Sequence, residues 1–190
     1  MENHPLKPFL PENAHMLMLG SFPPSQARWS MEFFYPNYIN DMWRIFGLIF
    51  FNDKDYFVDV VNRRFRKQQI VDFLTDRGIA LYDTACCVRR TKNTASDKDL
   101  EIVEETDIKA MLRRIPLCSV IVATGEKAAS VVARQMGCEV PKVGCHVGFC
   151  INGREMKLYR MPSSSRAYPM KLEKKAEIYR GALTELGLGI

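Results

Sequence analysis

The stretch Ala14-His15-Met16-Leu17-Met18-Leu19-Gly20-Ser21-Phe22-Pro23-Pro24-Ser25 decides the fold. Its first half is continuously apolar and stops at a glycine. A strand without polar alternation has both faces covered, which is the situation inside a parallel sheet. Three further segments share this look: Gly78 to Tyr82, Ser119 to Ala123, and Met156 to Met161. The last is less apolar, which predicts an edge position. Asn152-Gly153 is a hairpin-type turn, so Phe149-Cys150-Ile151 is expected to pair with that last strand.

Helical patterns fall between these strands. Ile39, Trp43, Phe46 and Phe50 share one face, as do Ile70, Phe73 and Leu74. Thr106 to Arg114 makes a short helix. Ala129, Val132, Ala133 and Met136 line another, and Leu172, Ala176, Tyr179, Leu183 and Leu186 form the stripe of a final one. Strands alternating with helices predict an α/β fold, with a parallel sheet covered on both sides. Residues 1–13 are proline-rich and read as an irregular lead-in to one domain spanning residues 1–190. In such folds ligands bind beyond the carboxyl ends of the strands. That rule selects residues 20–38, 83–98, 124–126 and 162–169.

Composition narrows the classes. Apolar residues make up 47% of 190, enough for a real core. No apolar run reaches membrane-spanning length, and the opening Met1-Glu2-Asn3-His4-Pro5 lacks a signal pattern, so a cytoplasmic protein is expected. The net charge of +5 permits an acidic partner without demanding one. Basic residues crowd Arg63 to Lys67, Arg89-Arg90-Thr91-Lys92 and Lys171 to Lys175; each run reads equally as a solvated face. The six cysteines form no C-x-x-C pair, so neither a disulfide framework nor a metal site is expected, and most read as small buried apolar residues.

Each selected loop admits a structural and a functional reading. Gly20 allows close backbone approach, Pro23 and Pro24 stiffen the turn, Phe22 offers a flat face, and Ser21 and Ser25 offer hydroxyls. The lysine and glycine spacing of a P-loop are missing. The aromatics of Trp29 to Tyr38, Tyr35 among them, suit base stacking or the packing down of a loop. Asn40 reads most simply as a helix N-cap. Asp83 suits either a polar ligand or a loop cap. Pro162-Ser163-Ser164-Ser165-Arg166-Ala167-Tyr168 places three hydroxyls and a cation before a helix, which suits a phosphate seat or an ordinary cap.

Taken together these blocks resemble the uracil-DNA glycosylase superfamily, nearest to its hypoxanthine (deoxyinosine) branch. Gly20-Ser21-Phe22-Pro23-Pro24 is similar to that branch's G-S-F-P-S, and Asn40-Asp41-Met42-Trp43 to its N-x-F-W. Leu81 to Cys87 is similar to its strand ending in Asp, and Met161 to Ser165 to its L-P-S-x-S loop. Asn37-Tyr38 replaces the branch's His-Pro, and the first loop lacks the Asp or Asn that activates water in several branches. The resemblance covers roughly residues 14–186. It implies a three-layer α/β/α fold with a central four-stranded parallel sheet.

It also implies hydrolysis of the N-glycosidic bond of a deaminated base, uracil or hypoxanthine, flipped out of DNA. The implied transition state is oxocarbenium-like, as in other glycoside hydrolysis. Phe22 is the implied stacking platform, with Gly20, Ser21, Tyr35 and Cys86 completing the base site. Asn40 is assigned to position the water, with Asp83 as the alternative because its charge suits a developing cation. Pro162, Ser163, Ser164 and Ser165 grip phosphates on this reading, and Arg166 or Tyr168 fills the gap left by the base. Arg89, Arg90 and Lys92 add salt-sensitive contacts. No metal or cofactor is required, and a monomer is expected. The competing readings are a DNA-binding relative without catalysis and an unrelated nucleotide-binding α/β protein.

Overall fold

A computed structural model describes residues 1–91, 100–185 and 187. In chain order the elements are β1 (Glu2–Asn3), β2 (Met16–Gly20), α1 (Met42–Phe51), β3 (Val58–Asp59), β4 (Arg64–Phe65), α2 (Lys67–Asp76) and β5 (Ile79–Asp83). They continue with β6 (Ala85–Arg90), β7 (Leu100–Glu105), α3 (Ile108–Arg114), β8 (Val120–Thr124), α4 (Glu126–Met136), β9 (His146–Ile151), β10 (Arg154–Met161) and α5 (Leu172–Glu185). The main sheet has five strands in the order β5-β2-β8-β10-β9. The first four are mutually parallel, and β9 is antiparallel to β10.

The expected four-stranded parallel sheet is therefore present with one more strand added. The Asn152-Gly153 turn makes a β9–β10 hairpin, as its sequence predicts. That addition moves β10 from the expected edge to an interior position; β9, alternately exposed and half-buried, takes the edge. Strands β2, β5 and β8 are buried at every residue, as continuous apolar strands require.

The connection from β2 to β5 runs one way along the sheet, and those from β5 to β8 and β8 to β10 run the other. Right-handed crossovers then put α1 and α2 on one face and α3 and α4 on the opposite one. The final helix α5 packs on α1 and β10, joining the first face. The core between α1, α2 and the sheet is dominated by aromatics. Trp43 lies 5.9 Å from Phe46 and 6.4 Å from Phe57, and Phe57 lies 5.3 Å from Phe73.

Two further expectations fail. The segment 83–98 is not simply a loop: β6 and β7 form an antiparallel hairpin, whose mixed polarity (Ala-Cys-Cys-Val-Arg-Arg, Leu-Glu-Ile-Val-Glu-Glu) hides it from an apolar-run search. Residues 1–13 are not irregular throughout either. β1 pairs with β6, and Phe9 bridges Leu81, so the amino-terminal segment is laid along β5 and the hairpin.

Candidate active site

The carboxyl ends of β2, β5, β8 and β10 open into one cleft of about 1250 Å³. Gly20 and Asp83 are register partners at the ends of β2 and β5, and Met161 and Thr124 at the ends of β10 and β8. These pairs make its floor. One wall is residues 20–24, another the 35–40 loop, and a third the Ser-rich loop 162–169. All four segments selected by the strand-end rule contribute to it.

The floor is built around a carboxylate. A Cβ at position 20 would collide with Asp83 Oδ1 and come within 3.5 Å of the Tyr35 hydroxyl, so only glycine leaves room here. Asp83 is 6% exposed. Its Oδ2 accepts a hydrogen bond from His4 Nε2 at 2.9 Å, while Oδ1 has no hydrogen-bond partner among the described residues. Tyr35 reaches the same spot. Its hydroxyl lies 3.0 Å from Thr124 Oγ1, which in turn donates to the Leu19 carbonyl at 3.3 Å. Burial, with the Asp83 charge beside it, pushes the Tyr82 phenol up to about 12.

Phe22 lines the cleft but is itself packed. It joins Ala85, Val88 and Leu100 in a small cluster under the hairpin. The His4 ring meets it edge-on at 5.2 Å, and the Arg90 guanidinium lies 5.7 Å from its centroid. Arg90 also donates to the Pro23 carbonyl at 2.6 Å and pairs with Glu2 at 2.9 Å. It therefore fastens the Gly20–Ser25 turn to the hairpin and to β1, a role distinct from the expected contact with phosphate. Arg89 points outward and pairs with Glu101 at 3.0 Å; Lys92 lies outside the described residues.

Cys86 is not among the cleft-lining residues. Its thiol donates to the Glu104 and Glu105 carbonyls of β7 at 3.5 and 3.6 Å, and burial raises its pKa. The strand's alternation turns it away from the floor. The expectation that most cysteines are buried also needs correction: Cys87 and Cys118 are buried, Cys86 and Cys138 half-buried, and Cys145 and Cys150 exposed.

The aromatic loop packs down. Met31, Phe33 and Phe34 are buried, the Trp29 indole donates to the Pro24 carbonyl at 2.8 Å, and the Trp43 indole to the Phe34 carbonyl at 3.1 Å. Tyr35 alone of this group lines the cleft, at a positive φ of 51°. Asn40 lines the cleft too, but its Oδ1 accepts the Met42 N–H at 2.9 Å at the start of α1. The N-cap position falls on Asp41, one residue later than expected, so Asn40 closes a turn just ahead of the helix with its amide nitrogen left over.

The Ser-rich loop is folded on itself. Ser163 Oγ accepts the Ser165 N–H and Ser165 Oγ accepts the Ala167 N–H, at 3.2 and 3.3 Å. A hydroxyl that accepts in this way keeps its own proton to donate. The loop is anchored from below by a buried charge cluster absent from the expected site. Lys175, fully buried, donates to Asp41 Oδ2 at 2.9 Å and to the Ser165 carbonyl at 2.8 Å. The Asp41 N–H donates to the Ser164 carbonyl at 3.0 Å, and Arg166 reaches Asp41 Oδ1 at 3.2 Å. The Tyr179 hydroxyl holds the Pro162 carbonyl at 2.9 Å, and the Tyr168 ring lies 5.9 Å from the Lys175 ammonium.

One of these anchors had a legible signal. Lys175 follows Leu172 by three residues and precedes Tyr179 by four, which puts a charge on the buried face of α5. His4 had none, being one residue in a proline-rich lead-in. Among the described residues no group of three or more His, Cys, Asp or Glu is placed to hold a metal, and no helix is long and apolar enough to cross a membrane.

No protein-family model and no curated protein matches the chain. Among solved structures, it is similar to the solution NMR structure of a candidate uracil DNA glycosylase from Methanosarcina acetivorans. The TM-score is 0.63 at 22% identity, over 96% of this chain and 98% of that one. At that identity the likeness is one of fold: this chain has the architecture of that glycosylase candidate along nearly its whole length.

Proposed function

We propose that the chain is a monofunctional DNA glycosylase that hydrolyses the N-glycosidic bond of a deaminated base, uracil or hypoxanthine, flipped from DNA. The observation that carries the reading is Asp83, a buried carboxylate with one oxygen unpaired on the floor of a cleft roofed by a Ser-rich loop. The shared fold supports it. In bond cleavage the sugar gains positive charge as the base leaves with the bonding electrons, so a fixed carboxylate facing that charge stabilises the transition state. Water then adds to the anomeric carbon and loses a proton. Asp83 Oδ1 is suited to accept that proton or to hold the water.

Asn40 serves as the second water ligand through its free amide nitrogen, since its oxygen is occupied by α1. Phe22 and Tyr35 bound the base, and the hydroxyls of Ser163 and Ser165 donate to phosphate oxygens. The Arg166 side chain, 56% exposed, lines the cleft and reaches toward DNA on this reading. On this reading the enzyme works as one cytoplasmic domain, as a monomer, without metal or cofactor.

The test is an abasic-site assay on duplexes carrying uracil, hypoxanthine or xanthine. Excision of one of them is expected, with Asp83→Ala slower by about 100-fold or more and Asn40→Ala by about 10-fold. Duplex binding with no abasic product from any of the three sinks the enzymatic reading and leaves a DNA-binding protein.

A further inference from the structure

The amino-terminal segment reaches the carboxylate of the cleft floor through His4, which lies behind Asp83 and does not itself line the cleft, and its placement is over-determined. The His4 N–H donates to the Cys86 carbonyl at 2.8 Å, tying its backbone to β6. The ring sits 4.5 Å from Tyr82 and 5.2 Å from Phe22, with 2% of the side chain exposed. Nδ1 lies 2.9 Å from the Leu6 carbonyl oxygen and 3.1 Å from the Leu6 N–H. A carboxylate can only accept, so Nε2 must carry a proton to bond Asp83 Oδ2 at 2.9 Å. Nδ1 meets Leu6 in either role, donating to its carbonyl or accepting its N–H, so the proton that the geometry fixes is the one on Nε2.

Asp83 has no other hydrogen-bond donor among the described residues. Without His4 its carboxylate would be free to rotate about χ2 and would be buried without a partner, which costs more than an ordinary lost hydrogen bond. With His4 in place, one oxygen is spoken for and the other is held over the Gly20 backbone, at the spot where a Cβ is excluded. A group whose work depends on one oxygen facing the substrate needs this kind of partner, as metal-bound and catalytic side chains generally do.

We propose that His4 is a positioning residue: its Nε2–H fixes the Asp83 carboxylate so that only Oδ1 meets the reacting atoms, making the amino-terminal segment part of the active site. The kinetic part of this inference rests on the glycosylase reading above; the His4–Asp83 bond itself does not.

The experiment has a kinetic arm and a spectroscopic arm, both on the full chain. In single-turnover and steady-state excision assays, His4→Phe keeps the packing and loses the donor. Its kcat is expected to fall about 10- to 100-fold, the range for loss of a charge-assisted hydrogen bond, with KM changed little. His4→Gln can place an amide N–H where Nε2 stood, and is expected to recover most of the rate at the same thermal midpoint as His4→Phe. A merely structural role predicts that rate follows stability instead. Should His4→Phe not fold, His4→Gln is compared with His4→Asn, whose amide ends one bond short of Asp83 and is expected to be the slower.

In the spectroscopic arm, nitrogen-15 NMR of the parent is expected to show His4 protonated on Nε2. The slowly exchanging Nε2 proton should disappear in Asp83→Ala. An unchanged kcat in His4→Phe, a Gln variant no faster than Phe, or a proton on Nδ1 alone overturns the proposal. If the parent excises no base, the glycosylase reading fails by itself. The NMR arm then decides the pair: a protected Nε2 proton sustains the His4–Asp83 bond and its absence refutes it.

Discussion

Gly20 shows how one missing side chain shapes a site. The carboxylate of Asp83 occupies the volume a Cβ would take, and it cannot easily step aside because His4 holds its other oxygen. An alanine at 20 therefore has to move either the end of β2 or the Asp83–His4 pair. Overpacking of this kind costs about 1–3 kcal/mol. Gly20→Ala is expected to lower the thermal midpoint modestly and to reduce excision by more than that loss explains, because the displaced atom is the one facing the cleft. Measuring both on the same preparation checks it; full activity in a destabilised variant would show that Asp83 can move without consequence. Gly20 was readable in the sequence as a site of close approach. What approaches it was not, since residue 83 is remote along the chain and the partner that fixes it lies 79 residues further back, at position 4.

At the scale of elements, the cleft is held open by long-range ties between α1, α5 and the Ser-rich loop. Asp41 and Lys175 are 134 residues apart, 4% and 0% exposed, and both bond the backbone of that loop. Removing Asp41 leaves the buried Lys175 charge without its carboxylate, at about 3–5 kcal/mol, whereas removing Lys175 leaves Asp41 its contact with Arg166. By urea unfolding Asp41→Ala is expected to lose stability in that range and Lys175→Met to lose less. The double variant should lose clearly less than the sum, and a double-mutant cycle measures the coupling. Loss of the tie should also weaken duplex binding, because the loop that carries Ser163 and Ser165 is no longer fixed. Additive losses would show that the two residues act independently. The strands and helices themselves were legible because their signals are local: continuous apolar runs for β2, β5 and β8, and apolar stripes for the helices. The β6–β7 hairpin was not, because its strands mix charged and apolar residues without a regular period and belong to a small separate sheet with β1.

The whole molecule carries its ionisable groups unevenly, and that predicts its response to alkali. Cys118 is buried beneath the sheet, its thiol 3.3 Å from the Val120 carbonyl, and burial pushes it up from 9.0 to about 11. Burial likewise raises Tyr82 from 10.0 to about 12, and Tyr179 well above its ordinary value. A group whose pKa is raised in the folded state holds its proton where the unfolded chain has released it. Its contribution is complete below the unfolded value and is lost as pH climbs through the folded one. For Cys118 that window is pH 9 to 11, and a shift of this size corresponds to about 2–3 kcal/mol. The tyrosines extend the loss from pH 10 upward. Urea midpoints are therefore expected to hold up to about pH 9 and then fall steeply, with the tyrosinate absorbance of Tyr82 and Tyr179 appearing only on unfolding. Cys118→Ala is expected to start from a lower stability, since it leaves a small cavity, but to show a flatter curve between pH 9 and 11. If parent and variant fall in parallel across that interval, the thiol is not what the folded state protects.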